Sequence, residues 1–315
     1  MLSKKEKLSI IIPVFNEEDC LPELFKRLLF TKKNLEQIGV DVDIIFINDG
    51  SIDKSTIILN DYARKQKFVK LIEFSRNFGH QIAITAGIDF ADADYVGIID
   101  ADLQDPPELF KDMLLKIKEG YDVVYGKRLS RKGESIFKKL SAKLFYRFLN
   151  IMCAVEIPLD TGDFRLFNKK VLYTLKTMKE KHRFIRGMIA WIGFNSVPYY
   201  YHRDERYAGV TKYSLIKMIN FALDAIFSFS RIPLKFAMTV GFIFVIFGFL
   251  SGLVILYLKL FTKYYVPGIT SVILIVVIMT GIQIIMIGIA CEYIGRIFEE
   301  SKQRPLYIIS NKKNF

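Results

Sequence analysis

The chain has 315 residues, 45 Lys and Arg against 33 Asp and Glu, a net charge of +12, and 51% hydrophobic side chains. With 14% aromatic residues it carries more apolar surface than a disordered chain keeps solvated, so an unfolded polypeptide is excluded. Three cysteines (Cys20, Cys153, Cys291) and three histidines (His80, His182, His202), scattered and without a CxxC spacing, exclude a disulfide-stapled scaffold and a zinc site.

In chain order, apolar runs of strand length fall at Leu8–Phe15, Val42–Asn48, Val69–Phe74, Tyr95–Ile99 and Asp122–Tyr125. Segments of helical period separate them at Glu18–Phe30, Ser55–Lys65, Gln81–Phe90 and Pro106–Glu119. Strand and helix in alternation predict an α/β domain with a mainly parallel sheet and helices on both faces. Such sheets bind ligands beyond the carboxyl ends of their strands. The first strand leads into Pro13-Val14-Phe15-Asn16-Glu17-Glu18, with neither a GxGxxG nor a GxxxxGK[ST] loop, which argues against hydride transfer and P-loop chemistry.

The second strand leads into Asn48-Asp49-Gly50-Ser51, and the fourth into Asp100-Ala101-Asp102-Leu103-Gln104-Asp105-Pro106-Pro107. Several strand ends thus deliver carboxylates to one crevice of a basic protein. A divalent cation holding phosphate oxygens accounts for them. A D-x-D pair also occurs on solvated loops; its place at the end of the buried Ile98-Ile99 run is what points to a ligand. Asp105 stands where an N-cap of the following helix is expected.

Between Lys127 and Arg147 lie eight basic residues and a single acid, Glu134. Ser141 to Met152 adds Leu144, Phe145, Phe148 and Leu149 at helical spacing, a basic amphipathic helix suited to an anionic lipid surface. Arg128, Arg131 and Ser135 are the candidates for gripping a lipid phosphate. Tyr213 to Ser230 reads as an interfacial helix or, with equal support, as a domain helix packed on the core.

Two uncharged stretches follow, Phe236 to Leu258 and Val266 to Cys291, of 23 and 26 residues. The shorter reaches about 34 Å as a helix, enough to cross a hydrocarbon core of about 30 Å. Eight basic residues flank the pair and two, Lys259 and Lys263, lie in the short connection. That bias places both flanks in the cytoplasm. The expected organisation is a catalytic domain over 1–212, a juxtamembrane segment over 213–235, two membrane helices over 236–291 and a basic tail over 292–315. The N-terminal run is broken at Pro13 and lacks a signal peptide's long apolar region.

Taken with Thr161-Gly162-Asp163-Phe164-Arg165 and Arg206-Tyr207-Ala208-Gly209-Val210-Thr211-Lys212-Tyr213, these motifs resemble, in order and over nearly the whole chain, the polyprenyl-phosphate glycosyltransferases of glycosyltransferase family 2. The subgroup with two C-terminal membrane helices is similar to the bactoprenol glucosyltransferases. The resemblance implies a GT-A fold, Mg²⁺ or Mn²⁺, a nucleotide-sugar donor, inversion at the anomeric carbon and a polyprenyl phosphate acceptor. By position it implies Pro13, Phe15, Glu17, Asp49 and Asp100 around the donor nucleotide, Asp102 and Gln104 on the metal, and Arg206 and Lys212 on the donor diphosphate. Asp163 matches the family's catalytic carboxylate, with Arg165 beside it. A phosphate monoester has a second pKa of about 6 and needs little help from a base, so Asp163 is also a candidate for orienting the acceptor.

The family commonly has two consecutive acids where this chain has Asn48-Asp49, which loosens any inference about the nucleotide. The expected partners are a UDP-sugar, undecaprenyl phosphate and the plasma membrane, with the domain on its cytoplasmic side. Nucleic acid is set aside because headgroups are the nearer anions, and a homo-oligomer is left open. Two alternatives stand beside this reading: transfer to another lipid acceptor, and a non-catalytic membrane protein that binds nucleotide sugars.

Overall fold

A computed structural model describes residues 5–129, 161–202, 230, 232–261 and 268–315. Arg131, Ser135, Arg206, Lys212, the basic amphipathic helix and most of the 213–235 segment lie outside the described residues. The chain divides into two units, one holding the described residues up to 202 together with 304–315, the other holding 230–303.

The first unit begins β1 (Glu6–Val14), α1 (Leu21–Glu36), β2 (Val40–Asn48), α2 (Ser55–Lys65), β3 (Val69–Phe74), α3 (His80–Phe90) and β4 (Tyr95–Ile98). A 3-10 turn, Pro107–Leu109, runs into α4 (Phe110–Lys118) and then β5 (Val123–Arg128). β6 (Thr161–Asn168), α5 (Lys169–Thr177), α6 (Ile185–Ile192) and β7 (Ser196–Tyr201) follow. The second unit contains α7 (Ile232–Phe261) and α8 (Ile269–Ser301), and the chain ends with β8 (Ile309–Lys313) in the first unit.

The eight strands form one sheet in the order β7-β5-β6-β4-β1-β2-β3-β8. β1 runs parallel to β2 and β4, β2 to β3, and β5 to β7, whereas β4–β6, β5–β6 and β3–β8 are antiparallel. The sheet is therefore mixed, with its parallel strands concentrated in the first half of the chain. Its apolar alternation explains its layers: Leu8, Ile10 and Ile12 of β1 face a core shared with Leu21, Leu24 and Leu28 of α1 and with Phe110 and Met113 of α4. Ile11, on the opposite face, packs toward α3. Truncating one of these leucines to alanine costs about 2–5 kcal/mol.

Strand order reverses beside β1, with β2 following on one side and β4 standing on the other. β4 leaves its ladder with β1 at Ile11–Ile98, two residues before Pro13, so the missing proline N–H falls where β1 has no β4 partner. The crevice that opens there is the switch point of an open α/β sheet, the preferred ligand site of such folds.

Residues 292–315, which composition sets apart as a tail, divide in the structure. Glu292 to Ser301 continue α8, while β8 pairs with β3 at the sheet edge. Asn314 Nδ2 donates to the carbonyls of Ala63 and Val69 at 2.6 and 2.7 Å, and Asn311 Nδ2 donates to Glu73 at 2.6 Å. The two apolar helices have 30 and 33 residues, about 45 and 50 Å of helix. Both are long and apolar enough to cross a membrane, and side chains such as Phe242, Phe247, Ile284 and Ile287 are exposed along them. Within this unit the Tyr293 hydroxyl donates to the Ser230 carbonyl at 2.7 Å.

Candidate active site

The loops after β1 and β2 are laced together. The Asn16 amide donates to Ser51 Oγ at 3.1 Å, the Ile52 amide to Asn16 Oδ1 at 2.9 Å, and the Glu17 amide to Ser55 Oγ at 3.0 Å. Asn16 adopts φ +54°, a left-handed conformation that asparagine tolerates better than most residues. Phe15, 37% exposed, stands at the crevice, whereas Pro13 is buried in the strand. Asp49 is buried, and its two oxygens accept the amides of Phe78 and Gly79 at 2.7 and 3.0 Å. It ties the loop before α3 to the end of β2, and burial raises its pKa despite those bonds. Gly50, at φ +68°, makes that approach feasible: a Cβ there would lie 2.5 Å from the Arg76 carbonyl carbon.

After β4, Asp102 is buried and its Oδ1 accepts the Gln104 amide at 3.2 Å across Leu103, whose φ is +60°. Asp105 does not cap the following helix. Its carboxylate accepts the Tyr201 hydroxyl instead, and the 3-10 turn starts at Pro107 without a side-chain cap. Asp100 Oδ1 is a buried oxygen without a hydrogen-bond donor, 3.4 Å from His80 Nε2. Burial pushes the Asp100 carboxyl up to about 6; His80 opposes the shift, and the Asp163, Asp105 and Asp102 charges add to it.

This donor set fits a divalent cation. Among the described residues no three His, Cys, Asp or Glu side chains are grouped to hold a metal by themselves. Asp102 and Gln104 offer two oxygens of a shell that magnesium-type sites complete with water and substrate phosphates. The undonated oxygen of Asp100 and the crowding of carboxylates at this strand end supply the negative charge such an ion answers.

Asp163 projects from β6 and is only 3% exposed. Arg186 of α6 meets it as a fork, Nε at 2.8 Å from Oδ1 and Nη2 at 3.1 Å from Oδ2. Gln81 Nε2 donates to the same carboxylate at 3.1 Å, and His80 Nε2 lies 3.2 Å from it. Burial alone would raise the Asp163 pKa, but the Arg186 guanidinium and the hydrogen bonds from His80 and Arg186 hold it well below the usual carboxylate range. Asp163 is thus an ionised acceptor already committed to several donors. For His80, whose side chain is 42% exposed, partial desolvation disfavours the charged ring, yet Asp100 and Asp163 outweigh it and raise its pKa to about 9.

Arg165 is also buried; it donates to the carbonyls of Gly162 and Asp163 at 2.9 and 3.3 Å, and burial lowers its pKa to about 10. Arg128, at the end of β5, is hydrogen-bonded to Tyr201, the partner of Asp105. A Cβ on Gly162 would lie 2.9 Å from its Nη2.

The structure thus gathers Asp100 and Asp163 about His80, with Asp102 and Gln104 two and four residues beyond Asp100. It adds His80, Gln81 and Arg186, which motif reading did not assign. The rule that residues just beyond parallel strands line the crevice applies to β3 as well, and following it past Phe74 leads to His80. Arg186, with Arg183 and Trp191, lies in a segment that the family resemblance sets near the acceptor side without giving it a role.

The class of protein to which this arrangement of acids at the switch point and a buried carboxylate opposite them belongs is given by comparison with known proteins. Residues 9–176 match the family model described as glycosyl transferase family 2. The chain is 48% identical to the uncharacterized glycosyltransferase YkcC of Bacillus subtilis, over 98% of this chain and 94% of that one. It is 37% identical to the bactoprenol glucosyl transferase of Shigella phage SfV, over 98% and 99%. A mannosyltransferase of Pyrobaculum calidifontis superposes with a TM-score of 0.46 at 15% identity, over 66% and 59%. This chain belongs to glycosyltransferase family 2.

Proposed function

We propose that the enzyme transfers a single glucose, with inversion, from UDP-glucose to a polyprenyl phosphate such as undecaprenyl phosphate at the cytoplasmic face of the plasma membrane. The observation that carries this reading is the full-length match to bactoprenol glucosyl transferases in a chain with two exposed apolar helices of membrane-crossing length. One polypeptide then combines a sugar-transfer site with a segment suited to the phase that holds the acceptor, which raises the acceptor's effective concentration.

In this reading Phe15, Glu17, Asp49 and Asp100 frame the donor, with Asp49 acting through the loop before α3. Asp102 and Gln104 would hold Mg²⁺ or Mn²⁺, which supplies charge stabilisation to the departing diphosphate. Arg206 and Lys212 reach the same diphosphate, and Arg128, Arg131 and Ser135 serve the acceptor side. The lipid phosphate oxygen attacks the anomeric carbon in line. A hydroxyl acceptor would need a true base, and an ionised Asp163 held by Arg186, Gln81 and His80 is poorly suited to take a proton.

The test is transfer from a panel of radiolabelled nucleotide sugars to undecaprenyl phosphate in membranes, with Mg²⁺ or Mn²⁺ and with EDTA, beside Asp102→Ala. Label entering the lipid from UDP-glucose, lost with EDTA and in the variant, is expected. Label from another donor would correct the sugar. No label, despite cation-dependent donor binding, would overturn the acceptor.

A further inference from the structure

The residues just before β8, Tyr307 and Ile308, lie against the connection between β3 and α3. The Tyr307 ring stacks on Phe74, the last residue of β3, with centroids 5.1 Å apart and planes 17° from parallel. Its hydroxyl donates to Asp89 Oδ2 at 2.9 Å, near the far end of α3, and the Ile308 carbonyl accepts the Ser75 amide at 3.0 Å. A register shift between Glu73 and Phe74 leaves Ser310 as the extra residue of β8, and its hydroxyl donates to the Glu73 carbonyl at 3.0 Å. Such a bulge bends the strand that carries it, here the one that brings Tyr307 over Phe74. Phe74 in turn meets the Phe78 ring edge-on at 5.5 Å, and the Phe78 amide is one of the two that Asp49 accepts. His80, two residues further, opens α3 and stands 3.4 Å from Asp100 and 3.2 Å from Asp163. Residues 75–77 are exposed, so the connection is held by its two ends and by Asp49 rather than by burial in the core.

We propose that Tyr307 is a positioning residue of the transfer site: it straps the β3–α3 connection and so sets where His80 stands between the two carboxylates. The proposal rests on the sugar-transfer reading of that site and extends its support to a segment that no motif marks. The ring bears on Phe74 at the entry to the connection, while the hydroxyl reaches the other end of α3. One side chain thus fixes both elements that the connection joins. The ring contact, passed through Phe74 to Phe78, is the larger part of the strap, because the bond to exposed Asp89 competes with water. Without the strap, the atom displaced is His80 Nε2, and a shift of about 1 Å takes it out of hydrogen-bond range of the carboxylates.

Hydrogen exchange read by mass spectrometry on the full chain in detergent tests the strap without any substrate. Tyr307→Ala should speed exchange of the Phe78 and Gly79 amides about tenfold, while the amides of Ile10, Ile11 and Ile12 in β1 stay within about twofold. With undecaprenyl phosphate and the donor that labels it, kcat per folded enzyme should fall about tenfold. Tyr307→Phe keeps the stack and should hold both readings within about threefold of wild type. Asn314→Ala, which loosens the tail at its other end, should leave both unchanged, so that a general loss of stability is told apart from loss of the strap. Should Tyr307→Ala not fold, Asp89→Ala removes only the acceptor of the hydroxyl and should speed the same two amides about threefold. Unchanged exchange at Phe78 and Gly79, faster exchange there with kcat unchanged, or an equal effect of Asn314→Ala overturns the proposal. If the wild-type chain labels no lipid, the transfer reading falls by itself, and the exchange result still decides the strap.

Discussion

The two halves of the sheet hold opposite charge at the site. Beyond β1, β2 and β4 stand Asp49, Asp100 and Asp102, with His80 as their cationic neighbour. Around β6 and α6 stand Arg165 and Arg186 with Asp163 between them. Both substrates of the proposed reaction are anions, yet the fold treats them differently. The acid side needs a cation as intermediary before it can receive a diphosphate. The basic side can receive a phosphate directly.

The strongest way to break that contrast is Asp163→Asn, which keeps the shape and removes the charge that aligns Arg186. Transfer efficiency for the acceptor should fall about 100-fold, the scale of a misplaced positioning group, and by the same factor at pH 6.5 and 8.5. Rate assays at the two pH values check this. A loss that shrinks at the higher pH would restore a base role.

Gly50→Ala attacks the link between the acid-bearing loops. A Cβ there meets the Arg76 and Asn77 backbone in a left-handed conformation, so stability should drop by about 2 kcal/mol, read from thermal unfolding in detergent. An unchanged midpoint would mean that the loops do not need this approach.

His80 sharpens the boundary between the halves, because it is the cation that both Asp100 and Asp163 share. Its pKa stands above the ordinary value of 6.5, so its contribution is complete below about pH 6.5 and is lost as pH rises through about 9. Wild-type activity should show an alkaline limb near pH 9. His80→Gln should lower efficiency about tenfold at pH 7 and abolish that limb. Retention of the limb would assign it to another group.

The smallest effect is expected far from either charge. Asn314→Ala removes hydrogen bonds to the Ala63 and Val69 carbonyls and should cost about 1 kcal/mol in unfolding with transfer unchanged. A drop in transfer larger than the drop in stability would tie the sheet edge to the site.

The parallel half of the fold was legible because its strands are buried on both faces and read as continuous apolar runs; Ser55–Lys65 is helical over the same residues that periodicity marks. β6 was harder. Thr161, Asp163 and Arg165 alternate with Gly162, Phe164 and Leu166, a period of two, but the polar face points into a site rather than into water and reads as a motif on a loop. β7 contains Pro198, which fits an edge strand and weakens the sequence signal for any strand. β8, Ile-Ser-Asn-Lys-Lys, has almost no apolar side chain, as suits an edge exposed to water. The acids of the candidate site are legible because Asp49 and Asp100 stand within two residues of a strand end. The pairing of Gln81 and Arg186 with Asp163 is not, because they lie 82 and 23 residues from it and only tertiary folding brings them together.

The edge position of β8 has a consequence for biosynthesis. Its residues are translated after both apolar helices, so the sheet cannot be finished while the ribosome is still delivering those helices. Until then β3 presents an unsatisfied backbone edge, open to pairing with other nascent chains. The sheet of the first unit therefore matures only after the helices, and β8 acts as a seal applied once they have been synthesised.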